Sequence, residues 1–208
     1  NLSEDSVFID IGANIGYFSL LAAHQKARKV LAVEPIPQTY QMLARNIAYN
    51  KCDDVIEPLN IALGNRDGVV KFTSVLGPKN HLRDDKDGQR QDEQLVDVRM
   101  TTLDGLLQSR NDIRKVDFIK IDVEGSEYGV LTGSLSTLRT YKPMVMMEIE
   151  ERLLGRYRTT SQQIFDFMAA LGYKYLCISD DSIHPGTAAD EISGRDFLFY
   201  SVEHKPIY

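Results

Sequence analysis

The sequence predicts an α/β fold built on a mostly parallel sheet. Short runs of β-branched and apolar residues recur along the chain, segments of helical periodicity separate them, and a glycine-bearing turn, "DIGANIG", joins the first apolar run to the first helical one. Alternation of this kind is what strands linked by crossover helices produce, because a parallel neighbour can be reached only through a long connection.

Strands are expected at 7–11, 29–33, 55–58, 118–121, 144–149, 173–178 and 197–202. Helices are expected at 16–25, 37–50, 103–109, 127–134 and 161–171. Two stretches break the alternation. In "IALGNRDGVVKFTSV" the residues Asn65 to Gly68 read as the turn of an antiparallel hairpin inserted after the third strand. The polar segment from Gly77 to Gln94 that follows carries Gly, Pro and mixed charge without periodicity, and reads as a surface loop.

With 208 residues and 43% hydrophobic content the chain can bury one substantial core, so a single domain over 1–208 is expected. It starts at Asn1 rather than Met and enters a strand within a few residues, the pattern of a domain cut from a longer polypeptide. A net charge of −6 argues against nucleic acid as a partner, since phosphate neutralisation needs clustered Lys and Arg. Cys52 and Cys177 form neither a metal spacing nor a disulfide framework and read as reduced thiols of a cytoplasmic protein. No stretch approaches the roughly 18 apolar residues of a membrane span.

Gly12 and Gly16 fall where a buried strand must turn sharply into a helix, and glycine allows both the backbone angles and the close approach of a ligand. Asn14 is placed to accept a hydrogen bond from the backbone at the helix start, whose free N–H groups favour a carboxylate. The spacing is D-x-G-x-x-x-G, not the G-x-G-x-x-G that brings backbone onto a pyrophosphate. Asp10 at the strand end would repel a pyrophosphate but can accept from an ammonium group, which favours S-adenosylmethionine over a dinucleotide. Glu34, before Pro35 at the end of the second strand, stands where doubly wound folds hold ribose hydroxyls. Asn60 could present its amide to adenine, with Ile36, Ile61 and Ala62 as apolar walls.

Lys120 and Asp122 lie two apart in the strand of "VDFIKIDVEGSEYGVL" and share one face of the sheet. A buried Lys needs a partner, and Asp122 and Glu148 are both candidates. Asp122, Glu124 and Glu127 crowd the carboxyl edge of this strand, where open α/β sheets bind ligands. Clustered carboxylates there can act as a general base, or bind Mg²⁺ or Mn²⁺ through Asp122 and Glu124 with Glu148 as a further oxygen ligand. Glu127 by itself is accounted for by a helix start. His81 is the imidazole considered for catalysis, on a loop above the carboxyl edge; His24, His184 and His204 have no constellation around them.

The blocks "FIDIGANIGYFSL", "VLAVEP", "NIALGNRDGVVKF", "TTLDGLL", "FIKIDVEGSEYGVLTG" and "PMVMMEIEE" run in order from about residue 7 to 151. In this the chain resembles the FkbM-type methyltransferases, a branch of the Rossmann-like, class I S-adenosylmethionine-dependent enzymes. The resemblance implies a seven-stranded sheet with an antiparallel last strand and O-methylation of a hydroxyl on a sugar or secondary metabolite, a small-molecule acceptor. It assigns cofactor roles to Asp10, Gly12, Asn14, Gly16, Glu34 and Asn60, to which the residues around them add Pro35, Ile61, Ala62 and Asp122. Asp122, Glu124, Glu148, Lys120 and His81 form the candidate catalytic set. The segment 77–94 carries no family pattern, the region beyond 151 matches only in general fold, and both are expected to govern substrate choice. Two rivals remain: N-methylation of a protein or RNA nucleoside, opposed by the acidic balance and the lack of an "N-P-P-Y"-like edge, and a module that binds the cofactor without turnover. Asp10 and the glycine spacing oppose a nicotinamide dehydrogenase.

Overall fold

The computed structural model describes residues 2–74, 80–83, 94–179, 182–186 and 196–202. Its centre is β1 (Val7–Ile11), whose five residues are all buried. Alternation along this strand sends Val7, Ile9 and Ile11 into one core and Phe8 into another, so both faces of the sheet are covered. Strand β2 (Lys29–Val33) pairs parallel on one side of β1 and carries β3 (Ile56–Leu59) beyond it. On the other side of β1 lies β7 (Phe118–Ile121), then β8 (Met144–Glu148), both parallel. Strand β11 (Asp196–Tyr200) inserts antiparallel between β8 and β9 (Lys174–Ser179).

The last strand is therefore antiparallel, as expected, but the sheet has eight strands among the described residues. The eighth is β10 (Ser182–Pro185), which folds back antiparallel on β9 at the edge. Four residues with exposed side chains at both ends offer no apolar run to read in the sequence.

The inserted element also differs from expectation. The runs β4 (Ala62–Leu63) and β5 (Gly68–Thr73) do not pair with each other across Asn65–Gly68. Strand β6 (Leu95–Thr101) lies between them, parallel to β4 and antiparallel to β5, so the hairpin is made by β5 and β6. Val70, Phe72, Val98 and Met100 form a small core of their own with Ile36 and Ala62, which holds this sheet against the main one.

Helices α1 (Tyr17–His24), α2 (Pro37–Tyr49), α3 (Leu103–Gln108), α4 (Glu127–Thr132) and α7 (Ser161–Ala170) fall where periodicity put them. Pro37 starts α2 with its missing N–H at a position that needs no partner. Thr160 and Gln163 close a reciprocal cap on α7. Two helices were not foreseen, α5 (Leu135–Tyr141) and α6 (Glu151–Leu154). Among the described residues no helix is long and apolar enough to cross a membrane.

Candidate active site

The chain steps outward from β1 through β2 to β3, then returns to the opposite flank of β1 at β7. At such a reversal the loops leaving neighbouring strands diverge, and a crevice opens beyond their carboxyl ends. A cavity of about 170 Å³ lies there. A single water needs only roughly 10–15 Å³, so the space admits a sizeable ligand.

One wall is the loop after β1. Gly12 has φ of 81°, and a Cβ on it would stand 1.8 Å from the backbone oxygen of Asp122. The strands β1 and β7 approach closely because this residue has no side chain, and Asp122 N–H bonds the Ile11 carbonyl at 3.0 Å. Gly16 has φ of 96° and faces Leu43 of α2. Asn14 sits in the left-handed region at φ 51°. Its backbone N–H, not its side chain, carries the useful bond: it donates to Glu34 Oε2 at 3.0 Å. The expected Asn14 cap on α1 is absent, since Gly16 occupies the cap position and no side chain caps that end.

Glu34 is the pivot of the second wall. It is 6% exposed and faces the cavity, with Oε2 held by Asn14 and Oε1 accepting the Ile36 N–H at 2.9 Å. Each oxygen thus keeps a lone pair for a ligand. Burial pushes this carboxyl up to about 7, against the two backbone bonds that favour its charge. Asn60 is braced behind it: its Nδ2 donates to the carbonyls of Glu34 and Pro35, both at 2.9 Å, which leaves Oδ1 as its remaining polar atom. Pro35, Ile36, Ala62, Leu63 and Phe72 supply the apolar lining, whereas Asn60 and Ile61 stand outside it.

Asp10 lies beneath the loop rather than on the cavity wall. It is 1% exposed; Ser19 of α1 donates to its Oδ2 at 2.6 Å, and its Oδ1 has no partner among the described residues. Burial raises its pKa, and the neighbouring Lys120 opposes the rise. Of the two candidate partners, Lys120 chooses Asp122, at 2.9 Å, with its ammonium 4.6 Å from the centre of the Phe18 ring.

The third wall is acidic. Asp122, Glu124 and Glu148 all face the cavity. Burial raises the carboxyls of Glu124 and Glu148, and the charge of Asp122 adds to both. Glu124 is held at φ 54° on a turn that Glu127 pins: Glu127 Oε1 accepts the N–H groups of Gly125 at 3.0 Å and Val123 at 3.3 Å. Glu127 is itself 3% exposed, and burial pushes it up to about 7. The dipole reading of this residue therefore misses its principal contacts.

Among the described residues no three acidic, His or Cys side chains are arranged to hold a metal ion. The expectation of Mg²⁺ or Mn²⁺ on Asp122 and Glu124 is without support. A metal needs its oxygens converging on one point, and Asp122 is turned toward Lys120 instead.

His81 stands beside Thr73, whose hydroxyl accepts its backbone N–H at 3.0 Å. The next residue, Leu82, bridges Phe72 and accepts the Tyr157 hydroxyl at 2.7 Å, and Asn80 reaches the cavity. Residues 80–83 thus strap the small sheet to the segment after β8, with His81 outside the lining. Thr39, Phe72, Asn80 and Ser126 line the cavity without having been singled out beforehand. Thr39 alone had a signal, following "EPIP" in the first turn of α2.

Residues 10–175 match the family model of the methyltransferase FkbM domain. The chain is 32% identical over 160 residues to methyltransferase sdnD of Sordaria araneosa, an alignment covering 64% of this chain and 62% of that protein. It is 27% identical over 147 residues to the hexuronic acid methyltransferase AglP of Haloferax volcanii, covering 70% of this chain and 56% of that one. It spans about three-fifths of the length of these relatives. A crystal structure of methyltransferase FkbM from Methylobacillus flagellatus shares the fold, with a TM-score of 0.60 at 18% identity over 96% of this chain and 44% of that chain.

Proposed function

Because the chain belongs to the FkbM methyltransferase domain family, we propose that it methylates a hydroxyl of a sugar or secondary metabolite, with S-adenosylmethionine as donor. The observation that carries this reading is Glu34. Its buried carboxylate offers two lone pairs at the cavity, the complement of a ribose diol, while Asp122, Glu124 and Glu148 make the far wall hostile to phosphate and hospitable to a cation. A sulfonium nucleoside has that pattern: a diol, a base for the apolar slot of Ile36, Ala62, Leu63 and Phe72, a positive charge and no phosphate.

When bound, the cofactor supplies an electrophilic methyl group. Glu34 would hold its ribose, and the loop from Gly12 to Asn14 would back its amino-acid portion. Asp122 and Glu124 then face the acceptor. A raised carboxyl such as that of Glu124 has the proton affinity to take the acceptor hydroxyl's proton as the oxygen attacks. Lys120 holds Asp122 in place without entering the cavity. Holding the two reactants in line can contribute on the order of 7–11 kcal/mol, so positioning supplies much of the acceleration. The names of the relatives support the acceptor class, one being a hexuronic acid methyltransferase.

A screen of hydroxylated acceptors with methyl-labelled cofactor tests this. Label should enter an oxygen of the acceptor, and Asp122→Asn and Glu124→Gln should each slow turnover by roughly 10²–10⁴-fold if they serve as acid–base groups. Unchanged turnover in both would remove that role.

A further inference from the structure

A second cavity, of about 70 Å³, opens on the α1 side of the sheet. Lys120 and Met146 are register partners on β7 and β8, as Glu148 and Asp196 are on β8 and β11, and partners in register share a face. These four line the space, with Phe18 of α1 as a side wall and Asp122 just past the end of β7. At roughly 10–15 Å³ per water the cavity holds about five, which is room for a small ring. Asp122 and Glu148 also line the first cavity, so the two spaces meet at these residues.

The second cavity combines an apolar surface with polar groups around it. Phe18 and Met146 supply the surface, and Lys120, Asp122, Glu148 and Asp196 come from three neighbouring strands. Lys120 is 6% exposed, and among the described residues its ammonium makes one hydrogen bond, to Asp122 at 2.9 Å. It therefore keeps N–H donors, and a buried ammonium with donors to spare is costly unless a ligand accepts from them. A donor beside an acceptor is the complement of a hydroxyl, whose oxygen accepts while its proton is donated. A phenol can use that pair once and offers nothing to the other two strands. A pyranose ring carries hydroxyls around its edge and a C–H face, so it can meet all three strands while its face lies on the apolar surface.

We propose that this second cavity binds the methyl acceptor and that it takes a sugar ring, with the C–H face on Phe18 and Met146 and one hydroxyl between Lys120 and Asp122, beside the first cavity. The inference rests on the methyl-transfer reading above and narrows its acceptor to a pyranose. Phe18 and Met146 then select the substrate, and Lys120 contacts it directly as well as holding Asp122.

The test is carbon-13 NMR of the chain labelled at its methionine methyl groups and saturated with S-adenosylhomocysteine. Met146 reports from the cavity wall, while Met42 on α2 and Met168 in the core are controls that line neither cavity. Methyl β-D-glucopyranoside, methyl β-D-galactopyranoside and phenol are titrated in turn. At least one glycoside should shift the Met146 signal saturably and leave Met42 and Met168 in place, and phenol should bind at least roughly tenfold more weakly, a difference of about 1.4 kcal/mol. Phe18→Leu keeps the apolar bulk and should weaken the glycoside by at least roughly tenfold, with binding of S-adenosylhomocysteine unchanged. Tyr17→Leu removes the neighbouring exposed ring and should change neither. A Met146 signal that neither glycoside moves, phenol binding as tightly as the glycosides, or a glycoside affinity untouched by Phe18→Leu would each overturn the proposal. An unmoved Met146 is also what the amino-acid tail of the cofactor filling this cavity would produce. If S-adenosylhomocysteine itself fails to bind, the methyl-transfer reading fails and takes this inference with it; if it binds and the glycosides leave Met146 unmoved, the inference alone is lost.

Discussion

The site should make the unliganded protein less stable as pH rises from about 4.5 to about 7. Burial pushes the carboxyls of Glu34 and Glu127 from 4.5 up to about 7. The unfolded chain keeps both at the ordinary value. Between about pH 4.5 and 7 the native state therefore holds protons that the unfolded state has released, and the free energy of unfolding falls as pH rises. At about 1.4 kcal/mol per pH unit, each group accounts for a loss of about 3 kcal/mol, and the pair for roughly twice that. Asp10 is raised by burial too and adds in the same direction. Glu57 works the other way, since hydrogen bonding from Arg110 holds it at about 2, but its contribution changes only below its unfolded value. Urea unfolding followed by circular dichroism at about pH 5 and about pH 8 measures the difference. Glu34→Gln and Glu127→Gln should each flatten the dependence by about half. A stability that stays level or rises over this interval would refute the reasoning, because it would mean that neither carboxyl is desolvated.

Three further outcomes follow from the same contacts. Gly12→Ala should cost at least about 3 kcal/mol, since the left-handed backbone alone costs roughly 1–2 kcal/mol and the new Cβ would collide with the Asp122 carbonyl; its melting temperature should drop by about 6–12 °C, read by calorimetry. Lys120→Met removes the buried charge that sits between Asp10 and Asp122, and should destabilise the fold toward the lower end of roughly 3–5 kcal/mol because Asp122 still reaches solvent. Thr160→Ala opens the cap on α7 and should lower stability by about 1 kcal/mol in the same denaturation assay, with cofactor affinity unchanged.

The parallel strands were legible because each is a continuous apolar run, buried on two faces, as in "VFIDI". The helices whose ends are fixed by nearby residues were legible too: Thr160 with Gln163, and Pro37. Helix α5 was not, because its start is stabilised from far away. Asp104 of α3 accepts the N–H groups of Ser136 and Thr137 and the Thr137 hydroxyl, while Ser134 makes no capping bond. The pairing of β4 and β5 through β6 was hidden for a similar reason, since the partner lies about thirty residues downstream.

At the site, residue type located Glu34 but not what holds it. The sequence offers Asn14 as a cap and Asn60 as an adenine contact, and in the fold Asn14 contributes a backbone N–H while Asn60 spends its amide nitrogen on the Glu34–Pro35 backbone. The first is a consequence of the loop after β1 meeting the loop after β2, and the second of the loop after β3 meeting it from the other side, which no local pattern encodes. Glu127 was visible as part of the acidic run, yet its grip on the turn that presents Glu124 depends on the sharp return of the chain at Gly125, where a side chain would meet the Leu153 carbonyl.

The central claim is that the crevice at the ends of β1 and β2 binds S-adenosylmethionine through Glu34. Calorimetric titration of S-adenosylhomocysteine into the wild-type chain and into Glu34→Ala tests it most directly. Saturable binding with one site per chain, weakened at least about a hundredfold in the variant by the loss of two charge-assisted hydrogen bonds of roughly 1.5–3 kcal/mol each, is the predicted result. Absence of binding in the wild type, or equal binding by the two proteins, would contradict it.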